Sequence, residues 1–296
     1  MTTATLNDPG KATTGRRERH PGQARNLVAR LVTHLCVLVG VLLSLFPFYW
    51  MLAMSTNTTA DIFASPPKLT FGPHFVENVQ NVLSNIDLVG AFVNTLIVAG
   101  ALAILVMLFD SLAAFAFAKY DFPGKNVLFV ILLATFLVPG SLSLVPSFVL
   151  MSAFGWIGDL RALIIPGAAN AFGIFLLRQF FLAIPSELAD AARVDGANPW
   201  HIYRHIYLPL AKPALATLAI FTFMWSWNDL IDPIIYLRDI ESLPLTAGLS
   251  LFQGQYVGRW PLLMAGALIS VLPMVLLFVI AQRHFVRGIA MTGIKG

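Results

Sequence analysis

The chain has 296 residues, of which 57% are hydrophobic and 11% charged, with a mean hydropathy of +0.77 and a formal net charge of +4 at pH 7. Such proportions exclude a soluble domain with an ordinary polar surface and identify an integral membrane protein. A helix needs about 20 apolar residues to cross the hydrocarbon layer, and six runs meet that need: 31–53, 89–118, 127–151, 162–182, 213–237 and 262–282.

Residues 1–30 form a Thr-, Gly- and Pro-bearing basic tail with Lys11, Arg16, Arg17, Arg19, Arg25 and Arg30. It lacks aromatic stacking partners, so it reads as a disordered topological signal rather than a nucleic-acid arm. The first run has no small-residue cleavage site after it and reads as a retained span, not a signal peptide. It holds Cys36, the only cysteine, which excludes a disulfide within the chain. Residues 55–88 make the longest loop, and the amphipathic stretch from Phe75 to residue 86 predicts a short helix there. The second run carries Asn94 and, near its end, Asp110. A carboxylate at that depth must be neutral, paired or facing water.

Lys119 to Lys125 is a tight reverse turn with Pro123 and Gly124 between basic anchors. Pro139, Pro146 and Pro166 are expected to bend or end spans, and Asn170 to bond across helices. Between the fourth and fifth runs lies a polar insert, Pro185 to Pro209. Ser186 is placed to cap a helix to about Val194, with Glu187 and Asp190 in its first turns. Gly196 breaks that helix. Asn198 then caps a second one, with Pro199 at its first position and Pro209 at its end near Tyr207. Asp190, Ala191 and Ala192 offer a small, acidic surface, and Asp195, Gly196 and Ala197 form the turn. A hydrophobic protein that folds a helical pair outside the bilayer presents it to another protein.

The fifth run ends in Trp225, Trp227, Asn228 and Asp229, with Asp232 near its outer end. Indole faces beside amide and carboxylate groups can hold a sugar, so these residues and Asn94 are candidates for a substrate pathway; packing of the indoles and interhelical bonding by the asparagines is the structural alternative. Residues 238–261 form an outer loop with Gln253, Gln255, Tyr256 and Trp260, and residues 283–296 a second tail. With a cytoplasmic N-terminus, 15 of the 19 Lys and Arg residues fall on the inner side and 4 on the outer, which supports both the six-span count and cytoplasmic termini.

No catalytic constellation is present. His201 and His205 share a helix face but have no completing metal ligand, and the sequence has no P-loop, so nucleotide-driven work would need a separate subunit.

Asp190-Ala191-Ala192, then Gly196, then Ile206, Leu208 and Pro209 resemble the EAA signature of permease subunits of bacterial ABC importers. Ala113 to Gly124, Phe175 to Phe181, Ile184 to Leu188, Trp227-Asn228-Asp229 and Gly293 to Gly296 narrow the resemblance to MalG-type permeases of carbohydrate importers. Asp190 stands where that family has glutamate. The resemblance implies a six-helix permease domain, 31–282, with a coupling loop at 185–211 and no cofactor of its own. It implies a second homologous permease, two cytoplasmic ATPase subunits that use ATP and Mg, and an extracytoplasmic binding protein in a bacterial inner membrane. Glu187 and residues 190–192 and 195–197 would meet the ATPase, as would Gly293, Lys295 and Gly296 of the tail. A glycerol-phosphate permease is the nearest alternative, and a secondary transporter driven by protons through Asp110 a more distant one.

Overall fold

The computed structural model describes residues 21–66, 68–85, 87–255 and 258–293, and their regular structure is helical throughout. The chain divides into two compact units, 1–50 and 51–296.

Helix α1 spans Pro21–Ser55 and so begins ten residues before the end of the expected disordered tail. Its described side chains up to Tyr49 are solvent- or lipid-exposed, as befits a helix with an apolar surface on every side. In the second unit, the chain leaves α1 through a short helix α2, Thr59–Ile62. Thr58 and Asp61 form a capping box there, and the bonds from Thr58 hold the Asp61 carboxyl below the usual carboxylate range. The expected short helix is α3, Phe75–Asn85. Buried Asn78 fastens it by donating from Nδ2 to the Ser55 and Asn57 carbonyls at 2.9 and 3.2 Å.

Helix α4, Leu88–Lys119, is the uninterrupted central element, capped by Asp87. The third apolar run is broken. Helices α5, Lys125–Ala134, and α6, Gly140–Ala153, are bent by 101° around Pro139. Val138 is extended there (φ −85°, ψ 111°), the conformation favoured before proline, whereas Pro146 lies within α6 and does not end it. The fourth run yields α7, Arg161–Ile164, and α8, Ala171–Leu182, and the polar insert yields α9, Glu187–Val194, α10, Pro199–Ile202, and α11, Leu208–Leu210. Helices α12, Lys212–Trp227, and α13, Ile231–Tyr236, make up the fifth run. The expected loop at 238–261 contains a helix, α14, Leu245–Gln255, and α15, Trp260–Gly293, carries the last span on through most of the expected tail.

Three described helices are long and apolar enough to cross a membrane, or up to six spans when bent helix pairs are counted as one. Two of those pairs draw on α9 and α10. The Glu187, Asp190 and Arg193 side chains of α9 are exposed and charged, so α9 is better described as the end of a polar insert than as half of a span.

The main core gathers α4, α8, the insert and the start of α12 around Phe115, Leu177, Phe181, Tyr207 and Leu218. A second core, around Val82, Trp227, Leu245 and Ala265, packs α3, α12, α14 and α15 against the start of α4.

Candidate functional site

The insert is built from local rules. Helix α9 ends in a Schellman motif: Gly196 N–H donates to Arg193 O at 3.0 Å and Ala197 N–H to Ala192 O at 2.9 Å. Gly196 has φ 83°, the left-handed region that an L side chain enters only with strain. Asn198 then caps α10, its Oδ1 accepting the His201 N–H at 2.8 Å, with Pro199 in the first turn. Ser186 makes no side-chain cap; its own backbone is helical (φ −70°, ψ −25°). Pro209 does not end the second helix either. Tyr203–Tyr207 widens into a π turn and α11 carries Pro209 in its first turn. The wider turn suits a proline, which has no N–H for the preceding turn and whose ring would strike the carbonyl four residues back.

Three attachments fasten this insert to the end of α4. The hydroxyls of Ser111 and Tyr203 are 2.7 Å apart in a buried bond. Phe115 packs against Tyr120, Phe181, Tyr203 and Tyr207, with ring centroids 5.1 to 6.2 Å apart. Lys119 Nζ donates to Ile184 O at 2.8 Å and lies 5.1 Å from the Tyr207 ring centre. Arg178 adds a bond from Nε to Phe117 O and stacks on Phe129. Removing the Tyr203 hydroxyl leaves the Ser111 hydroxyl without its cross-element partner. Tyr203→Phe is therefore expected to cost about 1–2 kcal/mol and to lower the melting temperature of the purified protein by a few degrees; an unchanged melting temperature would show that this bond fastens nothing.

The opposite side of the insert is open. Glu187, Asp190, Ala191, Asp195 and Gly196 are exposed, together with Leu188, Trp200 and an 88% exposed Val194. Asp190 pairs with Arg193 at 2.6 Å, while Glu187 and Lys119 attract each other through space. Ala192 and Ala197 are half-buried and pack against the main core, so of these three alanines Ala191 is the one left fully on the open face. Gly293 ends α15 with no side chain to describe, and Lys295 and Gly296 lie outside the described residues.

The residues at the end of the fifth run separate. Trp225 is 56% exposed, stacks edge-on to Phe172 and, with Asp229, lines a cavity of about 640 Å³ between α6, α7, α12 and α13. Trp227 is 2% exposed and packed against Phe92 and Phe223 in the second core, so it does not face that cavity. Asn228 returns its side-chain N–H to Met224 O at 2.7 Å, and Asn94 donates to Ser242 O at 3.0 Å and Glu241 O at 3.4 Å, a packing contact. Neither lines the cavity. Asp232, at the outer end of the run, lines the cavity as well, and so do Ser143, Ser147 and Tyr236, which the sequence reading does not single out. Ser143 and Ser147, four residues apart and hence on one helix face, were a legible polar signal in an apolar run.

Asp110 is fully buried, and its Oδ1 accepts the Asn170 N–H at 3.0 Å. Asn170 in turn caps α8, its side chain accepting the Gly173 N–H at 2.9 Å, so the bond it makes across to α4 comes from its backbone. Asp110 Oδ2 lies against Gly173 and has no hydrogen-bond partner among the described residues. The carboxyl thus sits at the N-terminus of α8, where the helix dipole favours it.

Residues 111–291 match the family described as "binding-protein-dependent transport system inner membrane component". The chain is 32% identical over 264 residues to the lactose transport system permease protein LacG of Rhizobium radiobacter, covering 89% of this chain and 96% of the relative. It is 30% identical over 274 residues to the sn-glycerol-3-phosphate transport system permease protein UgpE of Brucella abortus (strain 2308), covering 90% and 97%. It also superposes on a chain of the crystal structure of a bacterial ABC transporter involved in the import of the acidic polysaccharide alginate. The TM-score is 0.76 at 24% identity, over 88% of this chain and 98% of that one, a likeness of fold.

Proposed function

The chain belongs to the family of binding-protein-dependent transport system inner membrane components, and from that premise we propose that it is the permease subunit of an ATP-driven importer of a sugar or oligosaccharide. It is a multi-pass protein of the bacterial inner membrane, with both termini on the cytoplasmic side. A second, homologous permease completes the pore, and two ATPase subunits hydrolyse ATP with Mg. An extracytoplasmic binding protein delivers the sugar. The chain itself performs no covalent chemistry.

One observation carries this reading: the insert is fastened to the spans on one side and open on the other. Its open face, with Leu188, Val194 and Trp200 among acidic and small residues, suits docking into an ATPase cleft. Its inner face is joined to α4 through Ser111, Phe115 and Lys119. Since α4 also packs along α8 and α12, a push on the insert moves those helices together, as rigid-body alternating access requires. The tail from Gly293 through Lys295 and Gly296 would make a second contact with the ATPases.

The test is uptake of radiolabelled lactose and of other neutral oligosaccharides, in cells carrying the complete importer. Uptake is expected to stop when ATP is depleted and to continue when the proton gradient alone is collapsed. The reverse pattern would sink the proposal in favour of a secondary transporter.

A further inference from the structure

We infer that the cavity beside Trp225 selects by charge, admitting uncharged or cationic carbohydrate and excluding anionic solutes; this rests on the permease reading above. Its wall combines an exposed indole, hydroxyls and two carboxylates. Trp225 offers a ring face, Ser143 a hydroxyl, Ser147 and the buried Tyr236 hydroxyls that bond to each other, and Asp229 and Asp232 acceptors. An indole face with hydroxyls and carboxylates beside it meets the needs of a sugar, whose CH faces stack while its hydroxyls donate and accept.

The charges on that wall are of one sign. No Lys, Arg or His lines the cavity among the described residues. The nearest base in sequence to its α7 wall, Arg161, is held by Asp159 at 2.8 Å. The two Asp groups are three residues apart, and the Asp232 N–H reaches the Asp229 carboxylate at 3.4 Å, so both sit at one end of the cavity. A cleft lined by one sign of charge concentrates the opposite sign and depletes its own. A phosphate ester or uronate entering here would bring a further negative charge with no cation among the described residues of this wall to meet it. Permeases that are relatives of this chain serve both lactose and glycerol phosphate transport systems; the wall chemistry places this chain with the uncharged cargo.

The experiment reads the field inside the cavity without needing to know the natural cargo. In the complete importer, Cys36→Ser removes the only native cysteine of this chain and Ser143→Cys puts a thiol on the cavity wall. Cationic and anionic methanethiosulfonate reagents are then compared, each rate scaled to that of a free thiol, with the importer lacking the Ser143→Cys change as background. The cationic reagent is expected to react about tenfold faster than the anionic one, and the preference to collapse in the Asp229→Asn, Asp232→Asn double variant. Equal rates in the parent would overturn the inference, as would a preference that the double variant retains. Reaction with neither reagent, in any nucleotide state, would end it too, because the cavity would be closed to solute. The permease reading fails separately, through loss of ATP dependence in the uptake assay.

Discussion

Gly196→Val is expected to reduce sugar uptake by about 5–150-fold, the range of a lost coupling energy of 1–3 kcal/mol, while ATP hydrolysis and the binding protein's affinity persist. Gly196 is the left-handed residue of the Schellman motif that ends α9. A Cβ added there meets no atom within 4 Å, so there is open space around the turn. The cost of the substitution is the strain of a β-branched residue at positive φ, about 1–2 kcal/mol. That strain favours opening the turn and tilting α9 away from α10, on the face that the ATPase would grip. Two measurements separate coupling from folding: the yield of intact importer, expected unchanged, and the ratio of sugar moved to ATP hydrolysed, expected to collapse. Uptake at the parent level would remove the insert from the coupling pathway.

Gly173→Ala should destabilise the permease itself, by about 2–4 kcal/mol from overpacking and a displaced buried polar group. Its Cβ would fall on the Asp110 carboxyl and within 3.0 Å of Leu218 Cδ1, both in the tightly packed seam of α4, α8 and α12. Asp110 would have to shift, straining its bond from the Asn170 N–H beside the cap of α8. The expected readout is a lower melting temperature and a poorer yield of the solubilised importer. Asp110 gives the companion test. Asp110→Asn retains an oxygen to accept from Asn170 and is expected to keep most uptake. Asp110→Leu leaves the Asn170 N–H buried and unpaired, and should resemble Gly173→Ala. Loss of uptake in Asp110→Asn with unchanged stability would instead mark Asp110 as a proton carrier.

Several features were legible in the sequence because they depend on local chemistry alone. The six apolar runs follow from the thickness of the hydrocarbon layer. The turn at Gly196 and the cap at Asn198-Pro199 follow from backbone preferences of a few consecutive residues, and the structure has both in place. Local rules failed where a second element competed. Ser186 has the chemistry of a cap, but the chain already runs helically through it. Pro209 looked like a stop, yet a π turn absorbs it. Residues 245–255 read as loop and form a helix because α15 and the second core give their apolar side chains a surface.

The sequence by itself determined that this chain crosses a membrane, that it displays a helical pair between its fourth and fifth apolar runs, and that both features resemble a permease. Only the tertiary structure decided which side chains face a cavity, a neighbour or lipid. Trp225 and Trp227 show why. Two residues apart on a helix they point about 200° apart, so one must face away from what the other meets. In a span that is apolar all round, hydrophobicity does not say which is which. Packing against Phe92 and Phe223 turns Trp227 inward and leaves Trp225 with Asp229 on the cavity wall. The same holds for Asp110, which looked like an isolated charge until α8 brought the Asn170 N–H to it.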